Sequence, residues 1–318
     1  MEITYFSQHT QQPLVPDDLS AILEREEGVV WIDLAVSDMV GMALLKETFP
    51  FHPLSWEDVY HQQQRPKAEE YADHLFVILN PIQPPNSELM FRELDVFVGK
   101  NYLVTIHKAT EPVVDEARKR LDPQRVGLTL SPTYLLYVIF DTVLDSYLPV
   151  LETLEEQIEA VGNDVLTRPH PDILNRIFGL KRMMNQFWWV VWPQQDIINV
   201  LTNHGLVFID EKSLYYLRDV SDHLARLMNS LQVDRDTVTS LINIYMSSVS
   251  NQLNYAVGRL TMLTIGVGII AIFTGFYGMN FIQTWPPFDA PWGVPVVILM
   301  MLVTAVIAFA LLRWKKWI

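Results

Sequence analysis

Two long uncharged apolar runs near the end of the chain constrain its fold more than any other feature. Residues 260–276 form a run of 17 without a charge, and residues 293–312 a run of 20. At about 1.5 Å per residue, each is long enough to cross a hydrocarbon core of about 30 Å as a helix, the first with a few flanking residues. A buried core helix explains one such run. Two in tandem, after an otherwise soluble-looking sequence, predict a pair of membrane spans. Arg259 precedes the first run, Arg313, Lys315 and Lys316 follow the second, and residues 277–292 between them contain no Lys or Arg. The bias of basic residues toward the inner side places both flanks, both termini and the large N-terminal part in the cytoplasm, with the spans in a cell (inner) membrane and its lipid. Trp285, Trp292, Trp314 and Trp317 stand where interfacial aromatic anchors belong.

Charge narrows the function. Of 37 acidic residues only Asp289 lies beyond Arg259, and of 23 basic residues four lie at or beyond it, so residues 1–258 hold 36 acids and 19 bases, a formal charge of −17. Nucleic-acid binding needs a basic footprint and is excluded on this ground; attraction of cations fits. The chain has no cysteine, so disulfides, thiolate metal sites and cysteine nucleophiles are excluded. Residues 1–7 do not read as the start of a secretory leader.

Residues 1–125 read as a mixed α/β domain. β-rich runs fall at 2–6, 29–34, 75–79, 94–98 and 102–106, and helical patterns at 17–26, 37–48, 53–60 and 112–121. Lys100-Asn101 marks a hairpin turn and Pro81 to Asn86 a loop. Residues 126–209 read as an antiparallel helical hairpin, with helical patterns at 133–161 and 172–200, a break at 167–171, a kink or stop at Pro193 and a turn at 203–205. Residues 210–259 form a stalk, 260–277 the first span, 278–292 an outer loop, 293–312 the second span and 313–318 a basic tail.

Between Lys212 and Tyr277 there is no proline. Leu217, Val220, Leu224, Leu227, Leu231, Val238, Leu241, Tyr245, Val249 and Leu253 recur mostly three or four apart, which predicts one helix of roughly 100 Å running into the first span. A helix of that length needs partner helices, most simply its own copies. A second stripe of small or polar residues follows the same helix: Asn243, Ser247, Ser250, Asn254, Val257, Thr261, Thr264, Gly268, Ala271, Gly275 and Gly278. Small residues in a span form either a close helix seam or the wall of an aqueous channel. The polar members, Asn243 to Asn254 with Thr261 and Thr264, favour the channel.

The span ends in Tyr277-Gly278-Met279-Asn280. A Gly-Met-Asn tripeptide closing the first of two C-terminal spans resembles the signature of the CorA family of magnesium and cobalt channels. Residues 64–71 (Gln-Arg-Pro-Lys-Ala-Glu-Glu-Tyr) with 73–76, residues 217–223 (Leu-Arg-Asp-Val-Ser-Asp-His), residues 245–251 and the tail ending Lys315-Lys316-Trp317-Ile318 resemble the same family, so the likeness covers essentially the whole chain. It implies an α+β membrane protein: a homopentameric funnel with a cytoplasmic α/β/α domain, a stalk, a pore lined by the first span and a second span around it. It implies Gly278, Met279 and Asn280 as the outer selectivity ring, and cytoplasmic carboxylates that bind the ion and close the channel. The chain departs from the family pattern at Asn243, where Asp is frequent, and at Gly268, Ile269 and Ala271, where Met, Pro and Thr are found.

Under that resemblance, five Asn280 side chains offer neutral oxygens to a hydrated Mg²⁺, which sheds water reluctantly. Asn254 forms a second polar ring, and Val257 with Leu260 a hydrophobic constriction that gates by dewetting. Asp219 and Asp222 sit on the stalk at i, i+3. The resemblance makes Asp219 a regulatory ligand, with Glu88, Glu93 and Asp95 as candidate partners from a neighbouring subunit. The eight histidines show no paired metal spacing, Glu57-Asp58 and Glu69-Glu70 read as surface charges, and no Gly-rich nucleotide loop exists. Mg²⁺ is thus both cargo and regulator, Co²⁺ and Ni²⁺ are further cargo, and no organic cofactor is expected. A potential of about 100 mV supplies about 4.6 kcal/mol to a divalent ion moving inward. The rivals are a zinc transporter of the ZntB type and an α/β enzyme held by a hairpin anchor; residues 1–125 show no catalytic constellation for the latter.

Overall fold

The computed structural model describes residues 1–7, 11–25, 28–83, 89–121, 130–167, 170–202, 207–210, 212–279, 285–287 and 289–314. Its strands are β1 (Glu2–Phe6), β2 (Gln11–Pro13), β3 (Val29–Ala35), β4 (Lys67–Glu70), β5 (Leu75–Leu79), β6 (Ile82–Gln83), β7 (Met90–Phe91), β8 (Leu94–Val98) and β9 (Tyr102–His107). Its helices are α1 (Leu19–Leu23), α2 (Met39–Thr48), α3 (Pro53–His61), α4 (Pro112–Arg120), α5 (Pro132–Thr167), α6 (Pro171–Val191), α7 (Gln194–Thr202), α8 (Leu214–Tyr277) and α9 (Gly293–Trp314).

All five expected β-rich runs are strands. They build a seven-stranded sheet of order β2-β1-β3-β9-β8-β5-β4, in which only β3 and β9 run parallel. Two members carried no apolar alternation to reveal them. β2 is an exposed edge bearing Pro13, and β4 is Lys-Ala-Glu-Glu at the other edge. Proline and charge are how sheet edges avoid pairing with other chains. β5, β8 and β9 are buried along their whole length, so helices must cover both faces. On one face Leu19 of α1, Met42 and Leu45 of α2 and Val59 of α3 join Val30, Ile32, Leu34, Phe76, Ile78, Phe97, Val104 and Ile106 in a single core. On the other, the Arg118 guanidinium of α4 lies 5.0 Å from the Trp31 ring, and Tyr147 of α5 donates to the Asn80 carbonyl at 2.7 Å.

The helix expected at 17–26 is shorter, a 3-10 turn over Pro16–Asp18 and then α1. The others lie within a few residues of their patterns. Asp38 caps α2 by accepting from the Gly41 amide at 3.0 Å. Pro193 divides the second arm of the hairpin into α6 and α7. The turn expected at 203–205 lies outside the described residues.

The described chain forms two compact units, residues 1–163 with 171–241, and residues 164–170 with 242–318. In the first, α8 runs beside α5 and α6. Tyr216 packs on Tyr134 and Tyr137, Ser230 donates to Glu155 at 3.1 Å, and Arg235 lies over Trp188. Leu217, Val220, Leu224, Leu227, Leu231, Val238 and Leu241 are buried there. This corrects one expectation: the chain's own helices cover that part of the apolar repeat, so it does not require other copies. α5 is itself apolar and long enough to cross a membrane, but 61% of its most apolar window is buried inside this unit. In the second unit, the spanning window of α8 and that of α9 have no buried residues. Unlike α5, neither window is buried among the described residues, as spans facing lipid or neighbouring subunits require.

Candidate ion pathway and metal centre

α8 carries two different faces through the second unit. Met262, Ile265, Gly266 and Ile269 face Leu302, Ala305, Val306, Phe309 and Leu312 of α9 across an apolar cavity of about 350 Å³. The polar and small stripe lies off that face. Asn243, Ser247, Ser250, Asn254, Val257, Leu260, Thr264 and Ala271 are exposed on the single chain, and Thr261 and Gly268 half-buried. A helix turns about 100° per residue, so residues three and four apart hold one side over many turns. Thr261 donates to the Val257 carbonyl at 2.8 Å and Thr264 to the Leu260 carbonyl at 2.9 Å. Each hydroxyl hydrogen is turned back onto the backbone, and oxygen lone pairs remain as acceptors for a cation or its water shell.

At the end of α8 the Gly278 amide donates to the Thr274 carbonyl at 2.9 Å. A Cβ at Gly278 would itself lie 2.9 Å from that carbonyl oxygen. Glycine is required here because the chain passes too close to the last turn for a side chain. Tyr277 donates to the Trp285 carbonyl at 2.9 Å and ties the helix end to the far side of the loop. Met279 is 59% exposed, presenting its side chain rather than packing it. Asn280 and Trp317 lie outside the described residues. Trp285, Trp292 and Trp314 are exposed, as interfacial anchors must be.

The first unit gathers a group suited to a metal ion. Asp141 of α5 and Asp219 and His223 of α8 offer ligand atoms all within 4.8 Å of one another. Helix periodicity puts Asp219 and His223 on one face at i, i+4, and the side-by-side run of α5 and α8 brings Asp141 to them. Asp141 Oδ1 is 3.1 Å from His223 Nδ1, and His223 Nε2 is 3.9 Å from Asp219 Oδ1. Burial and then the Asp145 charge push the Asp141 carboxyl up from its ordinary value, against the pull of His223 and Arg120. Two carboxylates and an imidazole accept Mg²⁺ through oxygens and softer divalent ions through the ring nitrogen as well.

The other expected ligands stand elsewhere. Asp222 is exposed on α8, and Glu88 lies outside the described residues. Asp95 is 0% and Glu93 7% exposed. Glu93 accepts from the backbone amides of Gln63 and Gln64, where Gln62 and Gln63 both have positive φ. Burial, and then the Glu93 charge, push the Asp95 carboxyl well above the usual range. Glu93 holds this turn inside the fold, and Asp95 is fully buried within the chain, so neither stands on the surface as a ligand offered to a neighbour. Asp141 and His223 were not singled out from sequence. The Asp219–His223 spacing was the available signal for His223. Asp141, far away in sequence, had none.

Comparison with known proteins settles the family. The profile described as CorA-like Mg²⁺ transporter protein matches residues 26–315. The cobalt/magnesium transport protein CorA of Thermotoga maritima is 30% identical over 275 residues, 86% of this chain and 78% of that protein. The chain belongs to the CorA-like Mg²⁺ transporter family. It is therefore a membrane transporter of the CorA type and not an enzyme. In fold it is similar to the complete CorA magnesium transporter of Methanocaldococcus jannaschii, at a TM-score of 0.79 and 21% identity over 100% of this chain and 99% of that one. The ZntB cytoplasmic domain of Vibrio parahaemolyticus aligns with 79% of the chain and 98% of its own length at a TM-score of 0.64 and 14% identity.

Proposed function

We propose that the chain is a passive channel for divalent cations, Mg²⁺ first and Co²⁺ and Ni²⁺ with it, driven inward by the membrane potential. The observation that carries this reading is the polar stripe of α8. It stays on one side of the helix from Asn243 to Ala271, mostly exposed, with Thr261 and Gly268 half-buried, and leads to Gly278-Met279-Asn280. Five copies around an axis would bring these stripes together as a pore. Neutral oxygens of Asn280, Asn254, Thr261 and Thr264 would then meet a hydrated ion without stripping its water or holding it too tightly. Val257 and Leu260, both exposed and apolar, would close the path by dewetting when the helices draw together. No nucleotide-driven step is needed, since a potential of about 100 mV contributes about 4.6 kcal/mol for two charges.

Closure is assigned to intracellular Mg²⁺ at Asp219, with Asp141 and His223 of the same chain in its shell and a neighbour's carboxylate completing it. With −17 on residues 1–258, copies packed around an axis repel one another unless cations bridge them. Mg²⁺ shifts the equilibrium only insofar as it binds the closed state better.

The test is flux into liposomes under an inside-negative potential, with Mg²⁺, Co²⁺, Ni²⁺ and Zn²⁺ compared side by side. Uptake of Mg²⁺ that needs no pH gradient is expected. Transport of Zn²⁺ alone, or transport that collapses without a pH gradient, would overturn the reading in favour of a proton-coupled zinc transporter.

A further inference from the structure

The metal group of the first unit has a cation of its own. Arg120 is the last residue of α4, and its guanidinium reaches across to α5. One nitrogen stands 3.3 Å from Asp141 Oδ2 and the other 2.8 Å from Asp145 Oδ2. Asp141 and Asp145 lie one helical turn apart and face the same way. The two oxygens of Asp141 are therefore divided, Oδ2 toward Arg120 and Oδ1 toward His223. An ion drawing on Asp141 must share that carboxylate with a fixed positive charge.

We propose that Arg120 is a tethered competitor that sets how much divalent cation the Asp141–Asp219–His223 group needs. This rests on the proposed regulatory role of that group. In the ion-free chain the guanidinium neutralises Asp141 and restrains α5 against α4. When an ion binds, like-charge repulsion pushes the guanidinium off Asp141 and onto Asp145, which is already its nearer partner. The Arg120 side chain is 36% exposed, so water can solvate it during the exchange. The cost of that exchange is charged against the ion's affinity, and the site responds only at higher concentrations. A sensor for an abundant ion works at weak affinity, and a fixed positive charge beside the carboxylates moves the site in that direction. The argument fixes the sign of the effect at Arg120. Removing the positive charge while keeping a long side chain must tighten binding, and keeping the charge must preserve weak binding.

The experiment is Mg²⁺ titration by calorimetry of the full-length protein in detergent, comparing wild type, Arg120→Met, Arg120→Lys and Asp219→Ala. The wild type should show a component that Asp219→Ala removes. In Arg120→Met that component should tighten roughly three- to tenfold, as expected for loss of a like charge a few ångströms from the ion near a protein surface. Arg120→Lys should stay within about twofold of wild type, which separates charge from packing. An Asp219-dependent component that is unchanged or weaker in Arg120→Met would overturn the role of Arg120 and leave the regulatory site standing. Absence of any Asp219-dependent component would overturn the site and the role of Arg120 together.

Discussion

His223 Nδ1 on α8 stands 3.1 Å from Asp141 Oδ1 on α5. The contact joins two helices whose residues are 82 positions apart in sequence, and Asp219 lies one turn before His223 on the same face. A cation here would be held by both helices, so its binding resists any sliding of α8 along α5. Asp219→Ala should weaken Mg²⁺ protection of α8 against protease and raise uptake at high internal Mg²⁺. His223→Ala should do the same to a smaller degree for Mg²⁺ and a larger degree for Co²⁺, which prefers a nitrogen ligand more strongly. The measurement is the Mg²⁺ concentration giving half-maximal protection, read alongside flux. An Asp219→Ala protein with wild-type dependence in both would remove this residue from regulation.

Gly278 tests the outer end of the path. Its absent Cβ leaves room for the Thr274 carbonyl, 2.9 Å from where that atom would be. Gly278→Ala must shift the last turn of α8 and with it the residues that follow. Uptake by liposomes should fall about tenfold or more while the assembled mass is retained, because strain at the helix end acts on the path and not on the packed first unit. Asn280→Ala should abolish Mg²⁺ uptake outright. Normal uptake by correctly assembled Asn280→Ala protein would exclude that side chain from selectivity.

Assembly is tested by mass. Ile244, Met246, Leu253, Tyr255, Val257 and Leu260 are exposed on α8 outside the part covered by α5 and α6. Such a run of apolar surface on a helix calls for partners or lipid. Native mass spectrometry of the detergent-solubilised protein should give five copies. A monomer or dimer as the stable form would contradict a pore built from one helix per chain.

A pH test comes from Asp234. Burial, and then the Glu155 charge, push its carboxyl up to about 6, and its Oδ2 is buried without a hydrogen-bond partner among the described residues. A folded pKa above the ordinary carboxylate value means that ionisation destabilises the fold. The cost is absent below about pH 4, grows through the window up to about pH 6 and is complete above it. Asp234→Asn should therefore raise the thermal midpoint at pH 7.5 by about 1–3 °C, with the gain vanishing by about pH 4. An equal gain at both pH values would mean the benefit is not electrostatic.

Sequence by itself determined what depends on local periodicity and on solvent. Uncharged runs of 17 and 20 residues admit little but membrane spans. Short runs rich in β-branched, aromatic and other apolar residues located β1, β3, β5, β8 and β9, and the three-and-four spacing of Asn243 to Gly278 placed the stripe on one side of one helix. Gly278 was legible because a short motif in a fixed topological slot carries its own context. Tertiary structure alone decided the rest. The charged edge strand β4 has no apolar face to announce it and exists because β5 offers it a partner. Leu217 and Val220 looked available to other copies until α5 and α6 covered them. Glu93 and Asp95 read as surface ligands, since a carboxylate in a strand carries no mark of burial until the sheet has helices on both faces. Asp141 and Arg120 meet Asp219 and His223 only because α4, α5 and α8 pack together. Attraction between charges depends on distance in space, and residues 120, 141 and 219 have none of it until the chain folds.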